Sequence, residues 1–432
     1  SKEDGTSDSD KKDDGSDKKD GDKKPDGDSK DDKNKKDNAD DKDSQKGDIQ
    51  KPDDESEQVD HSDAAADYAS NIIAGNSVYL GELSSEYGIS FDEEFEKTMD
   101  KIEADYKEFL DKPEDFLAEN WQDVLAVYVM KYGQDAGIKM DKSCRDDLEQ
   151  IFFLMNVRSN SAILRKLEKI QKEEVSETEG RSAETEKAEE AEESTETEKA
   201  ADAEESTETK KVAETDAKEY RALSVQDYIA LYGADEEQTA ILEKYTSTKC
   251  RQLCAIVTAS KGFVRSEAGS DVSEERVSIV AAACSLIGKV GYFWGGKSYA
   301  IGWDDSWGSP MTVSAEGSKS SGTVRSYGLD CSGFVAWSYY NGLGGKDAGI
   351  GNHTTTQWNA SEMVDSQSAK PGDLVFYHPA SAGDDNHVGI VVGVNDNGSL
   401  LVVHCSSSQN GVMTGEAWSA GFQYVRSPLG LE

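Results

Sequence analysis

The sequence predicts an α+β domain at the C-terminus, preceded by an all-α helical module and disordered acidic segments. Apolar residues recur at helical spacing up to about residue 172, whereas the chain becomes Gly-rich, aromatic and strand-like after Gly288. Two low-complexity segments hold 22 of the 40 net negative charges. The predicted parts are a tether at 1–62, a helical module at 63–172, a linker at 173–219, a helical segment at 220–270 and a domain at 271–432.

The two low-complexity segments are predicted to be disordered. Residues 1–62 are rich in Lys, Asp, Gly and Ser, and so few apolar side chains cannot offset the entropy of ordering the chain. The linker repeats Ala-Glu-Glu-Ser-Thr-Glu-Thr at 191–197 and 203–209. The net charge of −40 argues against nucleic acid as a partner, because phosphate binding requires clustered Lys and Arg.

Several features bear on where the protein acts. There is no run of about 18 apolar residues, so no membrane span is predicted. The chain starts at Ser1 without a basic and apolar leader, and we expect a signal peptide or anchor to have been removed before the tether. This predicts an extracellular or wall-associated protein. Six cysteines are too few for a disulfide scaffold, and no metal or cofactor is expected. The cysteines predicted to be buried as small apolar residues are Cys144, Cys250, Cys254 and Cys284.

The helical module is predicted from three apolar stripes. Side chains three and four residues apart share one face of a helix, so each stripe would pack into a small bundle. Ser224 is the predicted N-cap of a helix at Val225–Tyr232 that ends at Gly233, and the following helix is expected to dock on the bundle. The three stripes run from Phe95 to Phe109, from Phe116 to Val129, and from Leu148 to Ile170.

The C-terminal domain begins with a predicted helix and continues with strands. Asp271 or Ser273 would cap a helix that runs through Ile287 and ends at Gly288. The length of about 160 residues suits one independent domain. The predicted strands are Asp373–Tyr377, His387–Val394 and Ser399–Cys405.

Cys331 is the candidate nucleophile. Ser332–Tyr340 reads as a helix with a buried aromatic face, which places the thiol in its first turn. There, unpaired backbone N–H groups would lower the pKa of the thiol and later hold an oxyanion. Gly333 would leave a substrate room to approach.

His387 and His404 follow on two predicted strands. A four-residue loop at Asn395–Gly398 would set His387 opposite Ser406 and diagonal to His404, about 7–8 Å away on the same face. A two-residue turn at Asn397 and Gly398 would move the histidines further apart but keep them on the same face, whereas an odd-length loop would place them on opposite faces. The small residues on the histidine face would let the helix that carries Cys331 pack close.

These positions suggest a catalytic triad. Cys331 would attack a carbonyl, His387 would act as base and then as acid, and His404 would orient His387. The other nearby histidines, His353 and His378, are predicted to be loop or surface residues, with His378 as the substitute if His404 fails.

Four motifs resemble the NlpC family of papain-like bacterial cell-wall endopeptidases: Gly291–Gly296, Leu329–Val335, Lys370–Phe376 and His387–Val391. The resemblance implies a helix bearing the cysteine packed on an antiparallel sheet. It also implies hydrolysis of peptidoglycan stem peptides through a thioester acyl-enzyme, typically at the bond from γ-D-glutamate to diaminopimelate or lysine. Finally, it implies that Tyr292 lies beside the thiol and that Asp330 and Ser332 help to bind the amino end of the substrate. For Asp330, an N-cap of the helix is an equal alternative.

Residues 291–298 satisfy the phosphate-loop pattern G-x-x-x-x-G-K-[ST], but they follow a helix and carry three bulky aromatics, so no nucleotide is expected. The insert at 297–328 is longer than the minimal spacing of the family, and it would form a wall of the cleft.

The remaining alternatives are a CHAP-like amidase or cross-bridge peptidase, and a non-catalytic adaptor that binds the wall. The layout also resembles wall hydrolases of conjugative elements, which implies a membrane-associated transfer or secretion assembly as a partner of the helical module.

Overall fold

The structure is a computed structural model that describes residues 79–133, 137–173, 175 and 220–431. The predicted tether lies outside these residues, as do most of the predicted linker and the start of the predicted helical module. The described residues all fall within one compact unit. They combine helices with an antiparallel sheet, which confirms the predicted α+β class. Within the described ranges, no helix combines the length and the apolar character needed to cross a bilayer.

Helices dominate the described part of the chain before residue 288, and two further helices lie after it. The helices are α1 Phe95–Lys107, α2 Trp121–Tyr132, α3 Arg145–Met155, α4 at 162–173, α5 Val225–Tyr232, α6 Glu236–Thr246, α7 Thr248–Thr258, α8 Lys261–Ala268, α9 Glu274–Ser285, α10 Cys331–Gly342 and α11 Thr354–Asn359. A π-helical turn lies at Leu83–Tyr87, and short 3₁₀ turns lie at Pro113–Asp115, Lys142–Cys144, Ser366–Ser368 and Ala380–Asp385.

The strands in the described residues are β1 Ile89–Phe91, β2 Ile138–Met140, β3 Asn156–Arg158, β4 Tyr220–Ala222, β5 Pro310–Thr312, β6 Val324–Ser326, β7 Ser361–Met363, β8 Leu374–Phe376, β9 Val388–Val394, β10 Leu400–Ser406, β11 Gly411–Glu416 and β12 Tyr424–Pro428. Strands β7 to β12 form a six-stranded antiparallel sheet at the centre of the C-terminal domain, in the order β11-β10-β9-β8-β12-β7. The other described strands form three two-stranded sheets: β1 with β2 in parallel, β3 with β4, and β5 with β6.

Buried amide side chains at the start of α2 join the two helical segments of the chain. The amide of Asn120 donates hydrogen bonds to the carbonyls of Met155 and Leu223, each at 3.0 Å, and Gln122 donates to the carbonyl of Tyr245 at 2.6 Å. The third apolar stripe proves to be two helices, because β3 interrupts it after α3 and pairs with β4. Ser224 caps α5 with a hydrogen bond from the backbone N–H of Asp227, as predicted.

Helix α9 connects to the sheet through a buried ion pair. Ser273 is its N-cap, and the helix ends at Ser285 rather than continuing to Ile287. The guanidinium of Arg276 lies 2.8 Å from the carboxylate of Asp373, which precedes β8, and both side chains are almost fully buried. Arg276 also donates to the hydroxyl of Ser427 at 2.9 Å. A single side chain therefore connects α9, β8 and β12.

The hairpin of β9 and β10 corrects the predicted loop. Val394 pairs with Leu400, so the loop has five residues, and Asn395 donates its N–H to the carbonyl of Ser399. A β-bulge then shifts the register, and Val402 pairs with Val391. The bulge adds one residue to β9 and restores the parity that an odd loop would have lost. From the bulge toward the histidines, the register equals the predicted one.

The two faces of the sheet carry separate apolar clusters. Val388, Ile390 and Val392 belong to the large core that also contains Phe334 of α10. Val391 belongs to a second cluster with Phe422 and other residues of the opposite face. The expectation that α10 packs on the histidine face is therefore wrong: it packs on the other face.

Candidate active site

Cys331 is the first residue of α10, and its side chain is 7% exposed. Asp330 is the N-cap, since its carboxylate accepts a hydrogen bond of 2.6 Å from the backbone N–H of Gly333. The backbone N–H groups of Ser332 and Val388 face the thiol. Val388 directly follows His387, so the start of β9 meets the start of α10 at the thiol.

His387 and His404 form a hydrogen-bonded pair. Nε2 of His387 lies 2.7 Å from Nδ1 of His404, with the rings nearly perpendicular. Phe422 stacks against His387, with ring centroids 5.4 Å apart, and it meets the His404 ring edge to face at the same distance. A Cβ on Gly389 would lie 3.1 Å from Cβ of His404 and 3.2 Å from the Phe422 ring. The space above Gly389 is therefore occupied by the His404 side chain and the Phe422 ring.

Burial controls the protonation of all three groups. Burial raises the pKa of the Cys331 thiol to about 12, with a smaller contribution from the charge of Asp330. Burial lowers the pKa of His387 to about 3, with a further contribution from His404, and it lowers the pKa of His404 to about 4. The expected lowering of the thiol pKa is therefore not found. At neutral pH the free protein holds a neutral thiol and two neutral imidazoles.

Two aromatic residues of this site were missed from the sequence. Tyr377 contacts the His387 ring edge to face at 4.8 Å, and its hydroxyl donates to the carbonyl of Ala420 at 2.5 Å. Phe422 follows the turn that contains Ala420. No local pattern marks Phe422, because it reaches the histidines only through the pairing of distant strands. The motif of β8 was a signal for Tyr377, as this residue directly follows it.

Tyr292 lies close to the thiol. Its backbone N–H donates to the carbonyl of Asn410, and it forms an isolated β-bridge with Leu329. Burial raises the pKa of the Tyr292 hydroxyl, and the next contribution comes from the nearby Cys331. The structure thus brings Tyr292 near Cys331.

Asp330 and Ser332 converge on a lysine that was not singled out as a site residue. Nζ of Lys297 lies 2.6 Å from each carboxylate oxygen of Asp330 and 2.8 Å from the hydroxyl of Ser332. A Cβ on Gly333 would lie 2.1 Å from the carbonyl oxygen of Gly296 and 3.0 Å from Cδ of Lys297. The absence of a side chain at Gly333 therefore lets residues 296–297 pack against the first turn of α10, and the expected open space for a substrate is filled.

The remaining histidines and the insert lie around this site. His353 and His378 are exposed, and His378 does not replace His404 as the partner of His387. Trp307 of the insert is buried edge to face against Trp337 of α10, with ring centroids 5.6 Å apart. In the described ranges, no group of three or more His, Cys, Asp or Glu side chains could hold a metal ion.

Residues 289–425 match the model of the NlpC/P60 family. The C-terminal domain is an NlpC/P60 domain. The match covers the candidate site residues from Tyr292 to His404, and it confirms the resemblance seen in the four motifs. No curated protein matches the chain.

Several solved structures of NlpC/P60 domains are similar to this one. The peptidoglycan hydrolase RipB of Mycobacterium tuberculosis is 29% identical, and the alignment covers 35% of this chain and 64% of RipB with a TM-score of 0.26. The peptidoglycan hydrolase SagA is 26% identical over 35% of this chain and 97% of its NlpC/P60 domain, with a TM-score of 0.25. RipD of M. tuberculosis, a non-catalytic domain adapted to peptidoglycan binding, is 20% identical over 36% of this chain and 98% of its own, with a TM-score of 0.25. The aligned part is thus less than two thirds of the RipB chain.

Proposed function

We propose that this protein is a peptidoglycan endopeptidase that hydrolyses stem peptides with Cys331, His387 and His404. The observation that carries this proposal is the 2.7 Å hydrogen bond between the two imidazoles, together with the contact of the Cys331 thiol with the backbone N–H of Val388, the residue after His387. The match to the NlpC/P60 family supports peptidoglycan as the substrate class. The bond from γ-D-glutamate to diaminopimelate or lysine is the one that the family resemblance favours.

The hydrogen bond defines the tautomers that catalysis requires. Nε2 of His387 is occupied by His404, so Nδ1 is the nitrogen left for the thiol. For Nδ1 to accept a proton, His387 must carry its hydrogen on Nε2 and donate it to Nδ1 of His404. His404 then carries its own hydrogen on Nε2. We infer that His404 holds His387 in this tautomer and stabilises the imidazolium that forms.

The reaction then follows from a neutral pair. The thiol gives its proton to His387 as sulfur attacks the carbonyl carbon, and the backbone N–H of Ser332 is placed to hold the oxyanion. His387 returns the proton to the leaving amine, which departs and leaves a thioester on Cys331. His387 next removes a proton from water as the water attacks the thioester, and the acid and the free thiol are released.

A digest of purified cell walls tests this proposal. The wild-type chain should release peptide fragments, and mass analysis should locate the new ends within the stem peptide. Cys331→Ala should release none. New ends at the junction of sugar and peptide or in the cross-bridge would instead identify the CHAP-like activity, and equal release by both proteins would remove Cys331 from the mechanism.

A non-catalytic wall-binding adaptor is the second candidate, and one observation favours it. Burial keeps the thiol protonated at neutral pH, so no thiolate is present before a substrate binds. Alkylation of Cys331 at pH 7 distinguishes the two candidates. A peptidase should lose most of its labelling rate on replacement of His387 by Ala, whereas an adaptor should label equally slowly in both proteins.

We propose that the helical module orients the NlpC/P60 domain at the wall or toward a membrane-associated transfer or secretion assembly. Two contacts with the sheet support a fixed orientation. The amide of Gln252 donates to the carbonyl of Val394 at 3.2 Å, and the hydroxyl of Tyr79 donates to the carbonyl of Thr414 at 3.2 Å. An extracellular or wall-associated location follows from the proposed substrate.

A further inference from the structure

Three oxygen atoms beside the nucleophile converge on one ammonium group. The carboxylate of Asp330 and the hydroxyl of Ser332 flank Cys331 in the chain, and all three oxygens lie within 2.8 Å of Nζ of Lys297. An ammonium has three hydrogen-bond donors, so each donor has an acceptor here. The arrangement is a complete ammonium site, and its occupant is a side chain of the protein itself.

Lys297 is held in this position by its surroundings. The Tyr327 hydroxyl donates to the carbonyl of Lys297 at 2.5 Å, and the backbone N–H of Asp330 donates to the carbonyl of Gly296 at 3.1 Å. The side chain passes over Gly333, and only 18% of it is exposed. A surface lysine would sample many rotamers, whereas this one is packed against the first turn of α10.

The occupied site has a consequence for the substrate. With Lys297 in place, the positive and negative charges cancel, and both carboxylate oxygens already accept hydrogen bonds from Lys297. A peptide with a free N-terminal amine is cationic at neutral pH, since the pKa of such an amine is about 8. That amine would be repelled by the ammonium and would find its acceptors occupied. An acylated amino end carries no charge and avoids this penalty.

We propose that Lys297 is a specificity residue that makes the domain select stem peptides with an acylated amino end, as in wall that is still joined to its glycan. This inference rests on the proposed function and adds the substrate class to it. Stem peptides with a free N-terminal alanine, such as those released by an amidase, are then the disfavoured substrates. Lys297 takes the place that the resemblance gives to the amino end of the substrate.

Equilibrium binding to full-length protein that carries Cys331→Ala tests the proposal without turnover. The two probes are alanyl-γ-D-glutamyl-lysine with a free amine and the same peptide with an acetylated amine. With Lys297 present, the acetylated peptide should bind about tenfold more tightly. Lys297→Met should abolish or reverse this preference by strengthening binding of the free amine, and Lys297→Arg, which keeps the charge, should retain it. Lys319→Met removes an exposed charge of the same insert and should change neither affinity.

The outcomes separate this inference from the proposed function. If the protein that retains Lys297 bound the free-amine peptide more tightly than the acetylated peptide, the substrate amine would be displacing the lysine. That result would overturn the inference. An unchanged ratio of the two peptide affinities in Lys297→Met would overturn the inference as well. Wall digestion by the wild-type protein would still leave the endopeptidase proposal standing. Failure of both peptides to bind any variant would overturn both. Lys297→Gln serves as a second neutral variant if Lys297→Met unfolds.

Discussion

Nε2 of His387 lies 2.7 Å from Nδ1 of His404 although the loop between their strands has an odd number of residues. The alternation of side chains would put the two histidines on opposite faces of the sheet if the strands were regular. The β-bulge before Val402 adds one residue to β9 and brings both histidines to the same face. The pairing of the imidazoles therefore depends on the bulge as much as on the loop.

His404 is expected to act through His387, as a positioning residue. Replacement of His404 by Ala removes the acceptor for Nε2–H of His387, and we expect a fall in kcat/KM of about 10²-fold with little change in KM. His404→Asn can still accept that hydrogen bond and should recover part of the loss. Steady-state kinetics on a defined stem peptide measure both effects. A wild-type rate in His404→Ala would show that the imidazole pair has no catalytic role.

Phe422 packs against both imidazoles, and we expect it to exclude water from them and thereby to set the acid limb of the pH profile. In the wild type, burial lowers the pKa of His387 to about 3, so the neutral base is present down to about pH 4. In Phe422→Ala, water reaches the ring, the pKa rises toward 6.5, and the acid limb of kcat/KM should move up by at least about one pH unit. Phe422→Leu keeps an apolar cover and is the matched control. Coincident acid limbs in all three proteins would refute this role of Phe422.

The register of the histidines was predictable from the sequence, but only through two errors that cancelled. Alternating apolar residues identified both strands. A four-residue loop was expected, but the hairpin has a five-residue loop and a bulge. A bulge has no reliable local signal, because it depends on how distant strands and helices pack. The face on which α10 packs was missed for the same reason. Val388 and Val391 are equally apolar, and only the tertiary structure shows which of them meets Phe334.

The candidate nucleophile and its helix were visible in the sequence, but the contacts made by the residues beside it were not. Asp330 was predicted as an N-cap or as a binding residue, and the structure shows the N-cap hydrogen bond. Lys297 attracted notice only as part of a phosphate-loop pattern. Its contact with Asp330 spans 33 residues and depends on the absence of a side chain at Gly333. Such a contact cannot be derived from local spacing.

The buried ion pair between Arg276 and Asp373 should be essential for stability. Both side chains are at most 3% exposed, so removal of one partner leaves a buried charge without compensation. We expect Arg276→Met to lower the free energy of unfolding by about 3–5 kcal/mol. The double variant with Asp373→Asn should recover part of this loss. Urea denaturation measures each value, and a single variant as stable as the wild type would contradict the expected cost.

Glu267 should make stability depend on pH. Burial raises its pKa from 4.5 to about 7, against the opposing contributions of Gln252 and Arg251. The folded protein then binds the proton more tightly than the unfolded chain. Its contribution to stability is therefore complete below about pH 4.5 and is lost as the pH rises through 7. The melting temperature of Glu267→Gln minus that of the wild type should increase as the pH rises from 5 to 8. Parallel curves for the two proteins would mean that Glu267 does not titrate in this range.

The central claim is that Cys331 forms a covalent intermediate with the help of His387. Acid quench of the full-length chain during turnover of an acetylated stem peptide, followed by mass analysis of its proteolytic fragments, tests this directly. The account predicts an acyl group on the fragment that contains Cys331, with none on buried Cys405, whose thiol donates to the carbonyl of Leu329. Replacement of His387 by Ala should abolish the adduct. Turnover without any adduct on Cys331, or an adduct of equal yield in the His387 variant, would contradict the account.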